Sequence, residues 1–212
     1  ESLVVVSLKD RIKWNKKYDS PKHKADKSPS KWLKENKGLL NGKGKALDIA
    51  MGEGKNAVYL AELGYDVLGI DISETAVHNA IAFAKEKKIK IEALNTDLDE
   101  YQFKMNEFNL IICFNFLDRR LFSKIRKALL PSGLLFYETF NIDHLKYNDF
   151  KNEWVLNHNE LLQEFGDFRI IKYQEVEHSN SGTTSFVAKK PLDAYFDNSA
   201  VSNVVLITGW RA

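Results

Sequence analysis

Residues 45–73 read KALDIAMGEGKNAVYLAELGYDVLGIDIS. Ala46 to Ala50 form a short apolar run broken once, by Asp48. Gly52 and Gly54 then open a turn, and Ala57, Val58, Leu60, Ala61 and Leu63 recur at helical spacing. Gly64 stops that helix, and Val67 to Ile70 make a second buried strand that ends on Asp71. Strand, glycine loop, helix, strand and acid in this order predict a βαβ unit that cradles a nucleotide-like ligand. Glycines let the backbone turn sharply and approach the ligand, and the following helix offers free N–H groups at its start. A carboxylate at the tip of the second strand has two oxygens for the two hydroxyls of a ribose, so adenosine is expected there.

Gly52-Glu53-Gly54-Lys55-Asn56-Ala57 also fits the dinucleotide pattern, so the glycines alone do not separate NAD from S-adenosylmethionine. Three features favour the second. Asp48 lies inside the first strand, where a dinucleotide fold wants an apolar residue and a zwitterionic methionine tail can use a carboxylate. A third strand, Ile89 to Asn95, leads to Asp97, placed to accept from an adenine amino group. The chain given also leaves no room after the sheet for a separate substrate domain.

ALDIAMGEGKNAVYLAELGYDVLGIDIS resembles motifs I and II of the class I S-adenosylmethionine-dependent methyltransferases. FNLIICFNFLDRRLFSKIRKALLPSGLLFYETF is similar to their fourth and fifth strands with the helix between. Trp14 to Tyr18 and Pro29 to Leu33 resemble the N-terminal elements of the TehB-like, tellurite resistance branch. The resemblance covers roughly residues 14 to 190 and implies an α/β, Rossmann-like fold. Its sheet would be mostly parallel and seven-stranded, with a C-terminal antiparallel hairpin. It implies S-adenosyl-L-methionine as cofactor, held by Asp48, Ala50, Met51, Gly52, Gly54, Asn56, Asp71, Ile72, Asp97, Leu98 and Phe114. Ala50 stands where the family commonly has its first glycine.

Composition is that of one globular domain: 212 residues, 44% hydrophobic and 28% charged. The organisation expected is an N-terminal helical or lid segment at 1–44, the ligand-binding domain at 45–190 and an extension at 191–212. No apolar run approaches a membrane span. The start, ESLVVVSLKDR, lacks a basic region ahead of its apolar stretch and a cleavage site, so no signal peptide is read there. The single Cys113 fits a reducing cytoplasm and reads as a small core residue.

Residues 1–45 carry 13 Lys or Arg against 5 Asp or Glu, and the remainder 18 against 24, so a total of +2 hides a basic start. With only Trp14, Tyr18 and Trp32 among those lysines, the segment reads as a solvated face more than a nucleic-acid surface. Asp19 to Ser30 reads as a loop, with Ser30 capping a helix from Lys31. Ser73 caps a crossover helix whose apolar face is Ala76, Val77, Ala80, Ile81 and Ala84. Strand four is Phe108 to Phe114, followed by a helix from Arg119 to Leu130, a turn at Pro131-Ser132-Gly133 and strand five from Leu134 to Tyr137. Phe168 to Val176 and Thr183 to Ala188 form a hairpin, and Val204 to Ile207 suggest an edge strand or an arm onto another subunit.

A sulfonium already activates its methyl group, so such a site aligns an acceptor lone pair, excludes water and, where needed, removes a proton. Phe114 to Arg120 and Glu138 to Asn141 lie at the strand ends where acceptors bind. Arg119 or Arg120 is a candidate holder of an anionic acceptor, and Glu138 or Tyr18 a candidate base. The five histidines have no ligand spacing, so no metal site is expected. The reading is a cytoplasmic methyltransferase for a small acceptor such as a thiol or chalcogen oxyanion. An RNA or protein methyltransferase and a non-catalytic S-adenosylmethionine-binding protein are the alternatives. Trp14 to Trp32 are expected either to close over the cofactor or to pack a helix on the sheet.

Overall fold

The computed structural model describes residues 3–192, with side chains from Leu8 onward. The expected extension from Leu192 and its Val204 to Ile207 run lie almost wholly outside the described residues.

Seven strands form one sheet in the order β3-β2-β1-β4-β5-β7-β6. They are β1 (Lys45–Ile49), β2 (Asp66–Asp71), β3 (Glu92–Asn95), β4 (Phe108–Phe114), β5 (Leu129–Phe140), β6 (Arg169–His178) and β7 (Ser181–Lys189). The pairs from β3 through β5 are parallel, and β7 runs antiparallel between β5 and β6. This is a Rossmann-like α/β fold, with the antiparallel hairpin where the sequence places it.

Among the described residues six α-helices accompany the sheet: α1 (Leu3–Tyr18), α2 (Lys31–Glu35), α3 (Lys55–Glu62), α4 (Glu74–Glu86), α5 (Leu121–Ala128) and α6 (Glu160–Glu164). The central strands β1 and β4 are apolar and buried on both faces, as parallel strands covered by helices require. One core layer packs Phe122 and Phe165 against Tyr137 and Phe186; the other gathers Trp32, Leu60, Val67 and Phe136. Burial on this scale, at roughly 25 cal/mol per Å² of apolar surface, holds the strand ends in place.

Three boundaries differ from expectation for local reasons. Ile89 belongs to the stop of α4: Lys88 is left-handed (φ 57), and the Ile89 N–H donates to Ala84 O at 2.9 Å, so β3 starts later. Pro131-Ser132-Gly133 is a kink inside the longer β5, where Ser132 is left-handed (φ 64) and the β4 register slips between Phe108 and Leu110. On α4 the buried stripe takes Phe83, while Ile81 is 47% exposed. Ser73 caps α4 as read, its Oγ accepting the Ala76 N–H at 3.1 Å. Ser30 precedes α2 without a side-chain cap bond.

Candidate active site

The glycine loop and the second strand are joined through Asp71. Its Oδ2 accepts the Gly52 N–H and its Oδ1 the Ser73 N–H, each at 2.8 Å. Gly52 (φ 56) and Gly54 (φ 77) are both left-handed, and a Cβ on Gly54 would stand 2.8 Å from the Ala80 Cβ. That glycine therefore sets the close crossing of α3 on α4. Burial pushes the Asp71 carboxyl up, while three main-chain N–H groups and the Lys17 ammonium oppose the shift.

Beneath the loop, Asp48 is only 2% exposed and its Oδ2 has no hydrogen-bond partner. Burial, and then the charge of Asp71, raise its pKa well above the carboxylate range, against the Ala57 N–H bond. An unpaired buried carboxyl oxygen costs on the order of 1–3 kcal/mol, so the strand keeps it at a net cost. Ala50 occupies the left-handed region (φ 52), the conformation a glycine takes without strain.

Other predicted cofactor residues lie around this centre with distinct duties. The Met51 side chain is buried and fills the space over Gly69, where a Cβ would sit 2.0 Å from its sulfur. Asn56 is tied to the N-terminal segment: its Oδ1 accepts the Ser30 N–H at 2.8 Å and its Nδ2 donates to Ser30 Oγ. The Ile72 carbonyl accepts from Asn95 Nδ2 at 3.0 Å. Asp97 folds its own turn, accepting the Asp99 N–H at 2.9 Å. Leu98 and Phe114 pack on the core at the ends of β3 and β4.

The N-terminal segment lies across this edge. Ser73 Oγ donates to Asn15 Oδ1 at 2.7 Å, and the Tyr18 hydroxyl fronts Gly52, 3.0 Å from where its Cβ would be. His23 bonds Glu53 at 2.8 Å, and Lys55 donates to Asp26 at 2.7 Å. Trp14 and Tyr18 stack at 6.1 Å. Trp32 differs from them, buried in the core with its indole N–H toward Phe186 O. Tyr18 is poorly suited as a base, because burial and the charges of Asp71 and Glu53 hold its phenol protonated.

On the acceptor side, Glu138 ends the β4-facing part of β5 opposite Phe114 and accepts from Ser185 Oγ at 2.6 Å. Burial pushes its carboxyl up, the direction that suits a proton acceptor near neutrality. Arg119 is engaged within the chain. Its Nε and Nη2 clamp Glu160 at 2.6 and 2.9 Å, and Nη1 and Nη2 donate to Glu153 O and Val155 O. The guanidinium thus fixes the segment after β5 and has little left for a substrate anion. Arg120 is tied to Asp118 and Asp99.

That segment also carries His144, Phe150 and Trp154, which pack with Phe140 at the end of β5. No role was read for these three, and their only signal was the long stretch from Asn141 to Asn157. Cys113 is buried, its thiol pushed up to about 12 by desolvation, which leaves it inert. Among the described residues no group of His, Cys, Asp and Glu is arranged for a metal ion, and no helix is long and apolar enough to cross a membrane.

Topology, glycine loop and Asp71 together make a Rossmann-like domain with a candidate nucleoside-binding edge. Residues 46–133 match the family model described as methyltransferase domain. The ubiquinone biosynthesis O-methyltransferase of Acinetobacter baylyi is 27% identical over 134 residues, covering 60% of this chain and 56% of that protein. The chain thus spans little more than half the length of that curated relative. TehB from Haemophilus influenzae superposes with a TM-score of 0.61 at 18% identity, over 85% of this chain and 66% of that one. A protein solved in work on conversion of a disulfide bond into a thioacetal group during echinomycin biosynthesis gives 0.67 at 18% identity, over 91% and 97%. TehB is therefore one structural neighbour among several, and at these identities the neighbours show the fold.

Proposed function

We propose that this protein transfers a methyl group from S-adenosylmethionine to a small-molecule acceptor in the cytoplasm. The observation that carries the reading is the Asp71 carboxylate fixed by Gly52 and Ser73 beside a left-handed glycine loop, with the unpaired Asp48 oxygen below. These groups fit the cofactor: Asp71 suits the ribose hydroxyls, the loop and the start of α3 the methionine carboxylate, and Asp48 its ammonium. When bound, the cofactor supplies a sulfonium methyl that needs no protein nucleophile.

The chain's own residues then have limited work. The segment around Tyr18 excludes water from the strand ends. Glu138 is placed to take a proton released by the acceptor. A small acceptor is favoured because the segment Asn141 to Asn157, the one insertion long enough to shape a pocket, is pinned by Arg119. Thiols and chalcogen oxyanions, the acceptors suggested by a TehB-like relationship, are the first to assay.

Calorimetry with S-adenosylmethionine, S-adenosylhomocysteine and NAD tests the reading. The first two are expected to bind and NAD not to, with Asp71→Ala weakening the binding by about 1–3 kcal/mol through lost hydrogen bonds. Equal binding of NAD, or an indifferent Asp71→Ala variant, overturns it.

A further inference from the structure

Among the described residues β3 ends the sheet, and its outer N–H and C=O groups face no further strand. Its two flanks carry opposite charge. Lys85, Lys88 and Lys90 precede it, and Asp97, Asp99 and Glu100 follow it. Lys87 pairs with Glu62 at 3.7 Å, whereas no ion pair holds Lys85, Lys88 or Lys90 among the described residues. The basic flank is fixed in shape, because Lys88 is left-handed and the Ile89 N–H closes the turn on Ala84 O. On the acidic flank Asp99 and Glu100 are exposed, and Asp99 also meets Arg120 at 3.1 Å.

Helix α4 repeats this polarity beside the strand. Glu74, His78, Ile81 and Lys85 are exposed and stand four, three and four residues apart, so they form one stripe that Lys88 continues past the helix end. Ile81, Lys85 and Lys88 line a groove together with Ile89, Lys90 and Ile91, so the stripe faces the β3 edge. Since β2 and β3 are parallel, α4 runs back between them, with its lysines at the start of β3 and Glu74 at its end. The middle of the stripe is Ile81, 47% exposed.

From this matched polarity of edge strand and helix, we infer that β3 and α4 pair with the same elements of a second copy of this chain about a two-fold axis. The axis passes beside the middle of β3, sets the two strands antiparallel and continues one sheet into the other. The basic flank of each copy then lies along the acidic flank of the other, and Lys85 and Lys88 approach the second copy's Glu74. Ile81 lies near the axis and meets its own counterpart. Leu94, 40% exposed, does the same on the opposite face of the sheet, since Ala93 faces α4. Lysines alone would only guard an edge against pairing, and a parallel alignment would set lysine on lysine. The antiparallel arrangement satisfies strand and helix together. With β3 only four residues long the interface is small, so its affinity depends on these charges.

Sedimentation velocity of the whole chain tests this without any ligand. At about 0.05 M salt the mass is expected to rise to twice that of the chain between about 1 and 100 μM, and the dimer to weaken in about 0.5 M salt. Lys85→Glu with Lys88→Glu, and separately Glu74→Lys with Glu100→Lys, are each expected to raise the dissociation constant at least about tenfold. An equimolar mixture of these two variants is expected to associate again, because each reversed end then meets a reversed partner. Ile81→Asp is expected to abolish the dimer by placing two carboxylates at the axis. All five positions are exposed, and thermal melts verify folding. A chain that stays monomeric throughout overturns the inference. So does a dimer indifferent to both reversals and to Ile81→Asp, or a mixture of the reversed variants that associates no better than either alone.

Discussion

The Gly52 main-chain N–H donates to Asp71 Oδ2 at 2.8 Å, so the glycine loop and the acid at the end of β2 form one rigid unit. A ligand carboxylate acceptor is thereby aimed before anything binds, which removes part of the ordering cost of association. The unit is built on a strained backbone, and that strain is testable.

Ala50, one residue past β1, holds φ 52 in a region that costs a residue with a Cβ about 1–2 kcal/mol. Glycine there relieves the strain but adds entropy to the unfolded chain, an opposing term of about 0.4–1 kcal/mol. Ala50→Gly is therefore expected to stabilise by roughly 0.5–1 kcal/mol, or about 2–4 °C per kcal/mol in a thermal melt. A lowered melting temperature contradicts the account.

Gly54→Ala is expected to go the other way. The new Cβ would combine a φ of 77 with a 2.8 Å approach to the Ala80 Cβ, and α3 and α4 have no flexible side chain there to yield. A loss of about 2 kcal/mol or more is expected from strain and overpacking together. Gly52→Ala meets only the Tyr18 hydroxyl, at 3.0 Å, and is expected to cost less. Denaturant midpoints of the two variants decide the order.

Asp48 gives the stability a pH dependence whose sign is fixed by its burial. Its folded pKa is raised, so between the ordinary aspartate value and that raised value the folded state binds more protons than the unfolded state. Stability is then fully present below the unfolded pKa and falls as pH rises through this window. Asp48→Asn keeps the shape without the titration, so it is expected to raise stability at neutral pH, to flatten the slope and to weaken S-adenosylhomocysteine. Melts across pH 4 to 8 with calorimetry check it; an unchanged slope with unchanged binding contradicts both roles.

What could be read in the sequence follows from which interactions are local. The βαβ start, the Ser73 cap and the buried β4 are periodic or carried by neighbouring residues, and they stand where the sequence puts them. The hydrogen bonds of Asn56 to Ser30 and of Arg119 to Glu160 were not legible, because the partners lie 26 and 41 residues away and leave no pattern in the chain. The packing of Phe150 on Phe140 and Trp154 was hidden for the same reason, since these rings share no helical or strand period.

Arg119→Ala shows what such a distant pairing contributes. It leaves Glu160 buried, its carboxyl held below its ordinary value because the guanidinium and the Asn157 amide outweigh the effect of burial. A loss of about 1–3 kcal/mol is expected, and Arg119→Lys is not expected to restore it, since an ammonium does not reproduce the fork that also reaches Glu153 O and Val155 O. A lysine variant with normal stability contradicts the clamp.

The last prediction concerns how the site is covered. Helix α1 and the loop to Ser30 meet the cofactor edge through Asn15 on Ser73, Tyr18 before Gly52, His23 on Glu53 and Asp26 on Lys55. Beyond that loop, Trp32 and Leu33 are core residues, so the segment is anchored at one end and held elsewhere by exposed and part-buried polar contacts. Such contacts contribute about 0–1.5 kcal/mol each, little enough for local opening to precede global unfolding. Asp71 is 7% exposed with the segment in place, so a ribose reaches it only after the segment shifts. Limited proteolysis is therefore expected to cut between Asp19 and Ser30 in the free protein and to be suppressed by S-adenosylhomocysteine. Asn15→Ala is expected to speed cleavage while lowering the melting temperature by only about 2–4 °C, since one part-buried hydrogen bond of about 1 kcal/mol is lost. Cleavage that is indifferent to saturating ligand and to Asn15→Ala would make α1 a fixed part of the wall and end the idea of a lid.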